Sequence, residues 1–113
     1  MSIERALGLA VGLAFNPETA VEDAAAAAGG FDLVLCMSIH PGYSGQAFMP
    51  EAPGRIAELA TLVDVPIQVD GGVGEENAAA LRRAGASLFV AGNAVFGDPD
   101  PAEAYRRLRA AVA

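Results

Sequence analysis

A chain of 113 residues is enough for one small domain, and an apolar content of 53% is that of a globular core, not of a disordered tail. A net charge of −7, with seven arginines and no lysine, argues against nucleic acid, whose phosphate backbone is bound by basic surface. No apolar run approaches the roughly 18 residues that cross a membrane, the first residues lack the order of a signal peptide, and the lone Cys36 forms no internal disulfide, so a reducing cytoplasm is the expected setting.

Met1–Leu7 reads as the last turns of a helix, stopped by Gly8. No strand precedes it, which suggests a chain that begins in the middle of a repeating unit. Ala10–Phe15 is the first strand, apolar on both faces as buried parallel strands are. Asn16-Pro17-Glu18 has the order of a helix start, namely cap, proline and acid, and predicts a helix over Pro17–Ala28 that closes at Gly29-Gly30. Phe31–Ile39 is the second strand and runs into the shaped loop His40-Pro41-Gly42-Tyr43-Ser44-Gly45-Gln46.

The next helix is placed over Pro53–Val63, because proline fits only the first turn. Val65–Asp70 is the third strand. Ile67 and Val69 share one parity and face the covering helix, whereas Gln68 and Asp70 share the other. Gly71 and Gly72 then open the turn into a helix over Glu75–Ala84, where backbone N–H groups can approach an anion that a side chain would keep away. Ser87–Ala91 is the fourth strand, followed by Gly92-Asn93. Asp100-Pro101-Ala102-Glu103 has the form of a capping box for a last helix with Tyr105, Leu108 and Val112 on one stripe.

Strands alternating with helices predict an α/β fold with parallel pairing and right-handed crossovers. A helix remnant and four βα units, one domain over residues 1–113, are half of a (β/α)8 TIM barrel, which typically needs roughly 250 residues. A four-stranded doubly wound sheet is the alternative. In either fold Asp70 stands at the C-terminal rim of the sheet, where ligands bind. The plainer readings are that Asp70 caps the following helix, Met37 and Cys36 are core residues, and Arg82-Arg83 and Arg106-Arg107-Arg109 form a solvated face at helix C-termini.

Four segments occur in an order and at a spacing that resemble the ribulose-phosphate 3-epimerase family. They are Gly12-Leu13-Ala14-Phe15-Asn16-Pro17, Met37-Ser38-Ile39-His40-Pro41-Gly42-Tyr43-Ser44-Gly45-Gln46, Val69-Asp70-Gly71-Gly72-Val73 and Val90-Ala91-Gly92-Asn93-Ala94-Val95-Phe96. The resemblance spans the chain but only the C-terminal half of the family's barrel. It implies epimerisation at C3 of D-ribulose 5-phosphate and D-xylulose 5-phosphate. It also implies a divalent cation (zinc, iron, manganese or cobalt, with the identity open) and a sugar phosphate as partner. Asp70 matches the aspartate that is both metal ligand and one of two acid/base groups. Gly42, Tyr43, Ser44 and Gly45 match the loop that closes on substrate, Gly71, Gly72, Gly92 and Asn93 the phosphate-binding backbone, and Met37 a methionine beside the reacting carbons.

The family's second catalytic aspartate and two metal-binding histidines come from the other half of the barrel. The single histidine here, His40, sits in the loop, and Asp23, Asp32, Asp64, Asp98 and Asp100 lie beside helices or at the far end of the strands. Ser44 and Asn93 stand where the family usually has glycine and serine. The resemblance therefore implies little turnover by this chain alone. It leaves a homo-oligomer or a complementing N-terminal half as protein partner. Another phosphate-sugar epimerase of the same barrel type, or a non-catalytic phosphate-binding or assembly fragment, remain the alternatives.

Overall fold

A computed structural model describes residues 8–38 and 48–113. The expected helix over Met1–Leu7 and the loop after Ser38 lie outside the described residues. The four strands β1 (Gly12–Phe15), β2 (Leu33–Met37), β3 (Ile67–Asp70) and β4 (Leu88–Val90) form one sheet in the order β1-β2-β3-β4. Every pairing is parallel, with Phe15 opposite Cys36, Met37 opposite Asp70, and Asp70 opposite Val90. A sheet whose spatial order follows chain order has no switch point, which favours the barrel over the doubly wound alternative.

The strand alternation sorts side chains onto two unlike faces. Phe15, Val34, Cys36, Ile67 and Val69 are buried and form the core with Ile56 and Leu59 of α2 (Ala52–Ala60), Leu81 of α3 (Glu75–Ala84) and Leu108 of α5 (Pro101–Ala111). The wholly enclosed Ile56 and Leu59 contribute on the order of 1.5–3 kcal/mol each by burial. The opposite face carries Gly12, Ala14, Leu33, Leu35, Met37, Gln68, Asp70, Leu88 and Val90, and among the described residues no helix covers it. Leu88 and Val90 remain 41% and 39% exposed.

Several expected boundaries shift, and that of the first helix has its cause elsewhere in the chain. The first helix, α1 (Val21–Ala27), starts four residues later than Pro17. Arg55 of α2 lies over the Phe15 ring, 5.4 Å from its centroid. From there it donates to the Pro17 carbonyl at 2.7 Å and to that of Thr19, so those carbonyls are held in a turn and do not begin a helix. The second helix covers Ala52–Ala60, not Pro53–Val63, and β4 shortens to Leu88–Val90. A one-turn helix α4 (Asn93–Phe96), not foreseen, follows Gly92.

Asp100 caps α5 by accepting the Glu103 N–H at 3.2 Å. The reciprocal half of the capping box is replaced, because Asp98 accepts the Asp100 N–H and Glu103 instead pairs with Arg106 at 2.8 Å. The buried stripe of α5 is Ala104 and Leu108, with Ala111 and Val112 packed against the core, and Tyr105 is 53% exposed. Arg107 bridges Glu75 and Asp98 at the surface, as expected of a solvated cation.

Candidate functional site

The C-terminal ends of β3 and β4 bring the site together. Asp70 is the last residue of β3 and projects on the uncovered face, where it is the sole charged side chain among the described residues. Met37 is its register partner on β2, on the same face. Gly92 and Asn93 follow two and three residues after Val90, the register partner of Asp70 on β4. Met37, Asp70, Gly71, Gly72, Gly92 and Asn93 therefore share one rim. Gly42, Tyr43, Ser44 and Gly45, with His40, lie outside the described residues.

Asp70 does not cap the helix after it. The N-cap of α3 is Gly74, and Asn77 closes the cap by accepting the Gly74 N–H at 2.9 Å. Between Asp70 and that cap the chain turns at Gly71 (φ +118°) and Gly72 (φ +68°), both in the region that favours glycine. A Cβ on Gly72 would stand 3.0–3.2 Å from the Cβ, Cα and N of Phe48. Strain and crowding against a backbone that cannot swing aside act together here. Gly72→Ala is expected to destabilise the chain by about 1–3 kcal/mol, read by chemical denaturation. Gly29→Ala, with open space around its Cβ, should stay within about 0.5 kcal/mol.

None of the turn, loop and cap hydrogen bonds among the described residues uses the N–H of Gly71, Gly72, Val73, Gly92 or Asn93 as donor. These groups follow the C-terminal ends of β3 and β4, and successive backbone amides in turns are the kind of group that can bind an anion. Gly92 has no neighbour within 4 Å of where a Cβ would be, so nothing described in the chain itself demands glycine there. Glu76 folds its carboxylate over Gly74, at the start of α3. A carboxylate there makes the start of α3 unfavourable for an anion.

Two side chains that the sequence reading passed over hold this turn. Ser38, fully buried, donates its backbone N–H to the Asp70 carbonyl at 2.8 Å, and its hydroxyl reaches the Asp70 carbonyl at 3.0 Å and also that of Gly71. Asn77 donates its side-chain amide to the Gly72 carbonyl at 2.8 Å. The signal available in the sequence was a serine in an otherwise apolar strand end and an asparagine three residues after a glycine cap. Cys36 faces the helices on the other side of the sheet. Burial pushes its thiol above the ordinary range, Arg55 opposing this, so it is a small core residue and no nucleophile.

The other aspartates lie away from this rim. Asp32 accepts the Val11 N–H at 2.6 Å beneath β1, Asp98 and Asp100 serve the start of α5, and Asp64 is exposed before β3. Among the described residues no three His, Cys, Asp or Glu side chains converge as metal ligands, and no helix is long and apolar enough to cross a membrane.

The model of the Ribulose-phosphate 3 epimerase family matches residues 1–96. Ribulose-phosphate 3-epimerase 1 of Cupriavidus necator is 40% identical over 107 residues, covering 87% of this chain and 44% of that protein. Ribulose-phosphate 3-epimerase of Escherichia coli is 34% identical over 111 residues, covering 94% and 49%. The crystal structure of a 3-hexulose-6-phosphate synthase superposes with a TM-score of 0.73 at 28% identity, over 97% of this chain and 53% of that one. The chain spans about half the length of the curated relatives it matches.

Proposed function

Because this chain belongs to the ribulose-phosphate 3-epimerase family, we propose that residues 1–113 are one half-barrel unit, the C-terminal half of such a barrel. In this reading it carries one acid/base carboxylate and the phosphate cradle of a pentulose 5-phosphate epimerase. The observation that supports the reading is Asp70 as the one described charged side chain on the uncovered face, beside Gly71, Gly72 and Val73, whose N–H groups donate in no described turn, loop or cap hydrogen bond. Gly92 and Asn93 complete the cradle from the neighbouring strand, and Met37 packs beside the reacting carbons.

The chemistry follows from what the parts can do. A phosphate held by fixed backbone donors keeps the carbon skeleton in one place relative to Asp70. Asp70 then exchanges a proton with C3 from its own side of the sugar. Inversion needs a second group on the opposite side, and the other aspartates described here lie away from that rim. The second acid/base group therefore belongs to an N-terminal half-barrel or a second copy. The divalent cation implied by the resemblance would stabilise charge on the sugar's oxygens. Asp70 alone does not make a cation site, so its other ligands also come from outside the described residues. A hexulose phosphate is the second reading, suggested by the likeness to the hexulose-phosphate synthase fold. A reducing cytoplasm suits the buried free thiol of Cys36.

The test is to co-express the chain with the N-terminal half of the Escherichia coli relative and assay both epimerisation directions. The chain alone is expected to give no turnover above background, and the completed barrel to convert pentulose 5-phosphates in preference to hexulose phosphates. Chelator-sensitive turnover by the chain alone that Asp70→Asn abolishes would mean that a second copy supplies the missing groups. A soluble, completed barrel with no activity on either substrate class would overturn the reading.

A further inference from the structure

We propose that Ser38 is the positioning residue that aims the anion cradle, with Asn77 as its counterpart on the helix side; this rests on the turn at 71–73 being that cradle. In a trans peptide the C=O of one residue and the N–H of the next lie in one plane and point in opposite directions, and no cis peptide is present among the described residues. Whatever holds the carbonyls of residues 70, 71 and 72 therefore also sets where the N–H groups of residues 71, 72 and 73 point.

All three carbonyls are held from the protein side. Ser38 takes the first two: its N–H lies 2.8 Å from the Asp70 carbonyl, and its single hydroxyl proton is shared between that oxygen and the Gly71 carbonyl. Asn77 takes the third, at 2.8 Å, while its own carbonyl stays on the Gly74 N–H. The three N–H groups are thereby turned away from Ser38 and Asn77, and they donate to no turn, loop or cap partner among the described residues.

The ladder between β2 and β3 ends at the Met37–Asp70 pair. Beyond it, the Ser38 and Asn77 side chains hold a segment whose two glycines would otherwise visit many conformations. Ser38 is fully enclosed, and its carbonyl accepts the Met49 N–H at 2.8 Å, so it is itself immobilised from a third direction. A group held on every side can hold another. The same contact fixes the main chain of Asp70, which places the cradle and the carboxylate in one rigid unit.

The experiment is an inorganic phosphate titration of the isotope-labelled chain, following the amide resonances of Gly71, Gly72 and Val73. Wild type is expected to show saturable shifts at those three amides. Ser38→Ala is expected to weaken the apparent affinity at least tenfold, with core resonances unchanged, and Ser38→Thr, which keeps the hydroxyl, to recover most of it. If Ser38→Ala does not fold, Ser38→Cys keeps the shape with a weaker donor and is titrated under the same criterion. A folded Ser38→Ala or Ser38→Cys chain that binds phosphate as wild type does would overturn the role of Ser38 and leave the cradle standing. A wild-type chain with no saturable shift at the three amides would sink the cradle itself, and this inference with it.

Discussion

Asp70→Asn in the completed barrel is expected to lower kcat by roughly 10²–10⁴-fold with little change in KM. Asparagine has the shape of aspartate and can still accept hydrogen bonds, but it cannot take up or release the C3 proton. In the proposed reading the phosphate is held by backbone in the turn that Ser38 and Asn77 fix, so substrate binding should survive the change. A subtler signature separates loss of one acid/base group from general damage. Each epimer presents its C3 proton to a different face, so the variant should still exchange solvent hydrogen into the epimer served by the other group, without inverting it. Asp64→Asn, at the exposed opposite end of β3, is the matched control and should leave kcat unchanged. Retention of wild-type turnover by Asp70→Asn would remove Asp70 from the chemistry.

The parts of this molecule that are local in sequence were legible there. The period-two pattern Ile67, Val69 against Gln68, Asp70 gave the faces of β3 correctly, because alternation depends only on the pleat. Gly85 was readable as a helix stop and carries φ +129°. What failed depends on partners far along the chain. The start of α1 moved because Arg55, 36 and 38 residues away, takes the carbonyls that would have opened the helix at Pro17. Helical spacing puts Tyr105 on one stripe of α5 with Leu108 and Val112, yet Tyr105 is exposed and the small Ala104 is buried beside Leu108. Ser38 is missed for the same reason: a buried polar side chain is explained only by the groups it satisfies, and those are the carbonyls of a turn 32 to 33 residues away.

The uncovered face of the sheet carries the other large expectation. On its own, the chain should elute as a dimer or larger species, or be poorly soluble. Leu33, Leu35, Met37, Leu88 and Val90 form an apolar surface there with a single charge, Asp70, and soluble monomers rarely leave such a patch open. Edge strands β1 and β4 have no further strand beside them among the described residues, so each offers unpaired backbone groups. All four strands run in the same direction, so a twofold axis along the strands would set β4 of each copy beside β1 of its partner and close an eight-stranded parallel sheet.

The exposed Leu9 lies just before β1, and Phe96, 80% exposed, lies beyond β4, so both edges carry apolar side chains suited to such a seam. Leu88→Lys with Val90→Lys places two ammonium groups on one edge and on the face behind it, which blocks edge pairing and apolar docking at once. Sedimentation analysis should then find the double variant monomeric under conditions where wild type is not. Adding the N-terminal half of a relative should displace the self-association of wild type, because both compete for the same edges. A wild-type chain that stays monomeric and soluble at high concentration would contradict this account of the bare face. A dimer that ignores both lysines and the added half would place the contact on another surface.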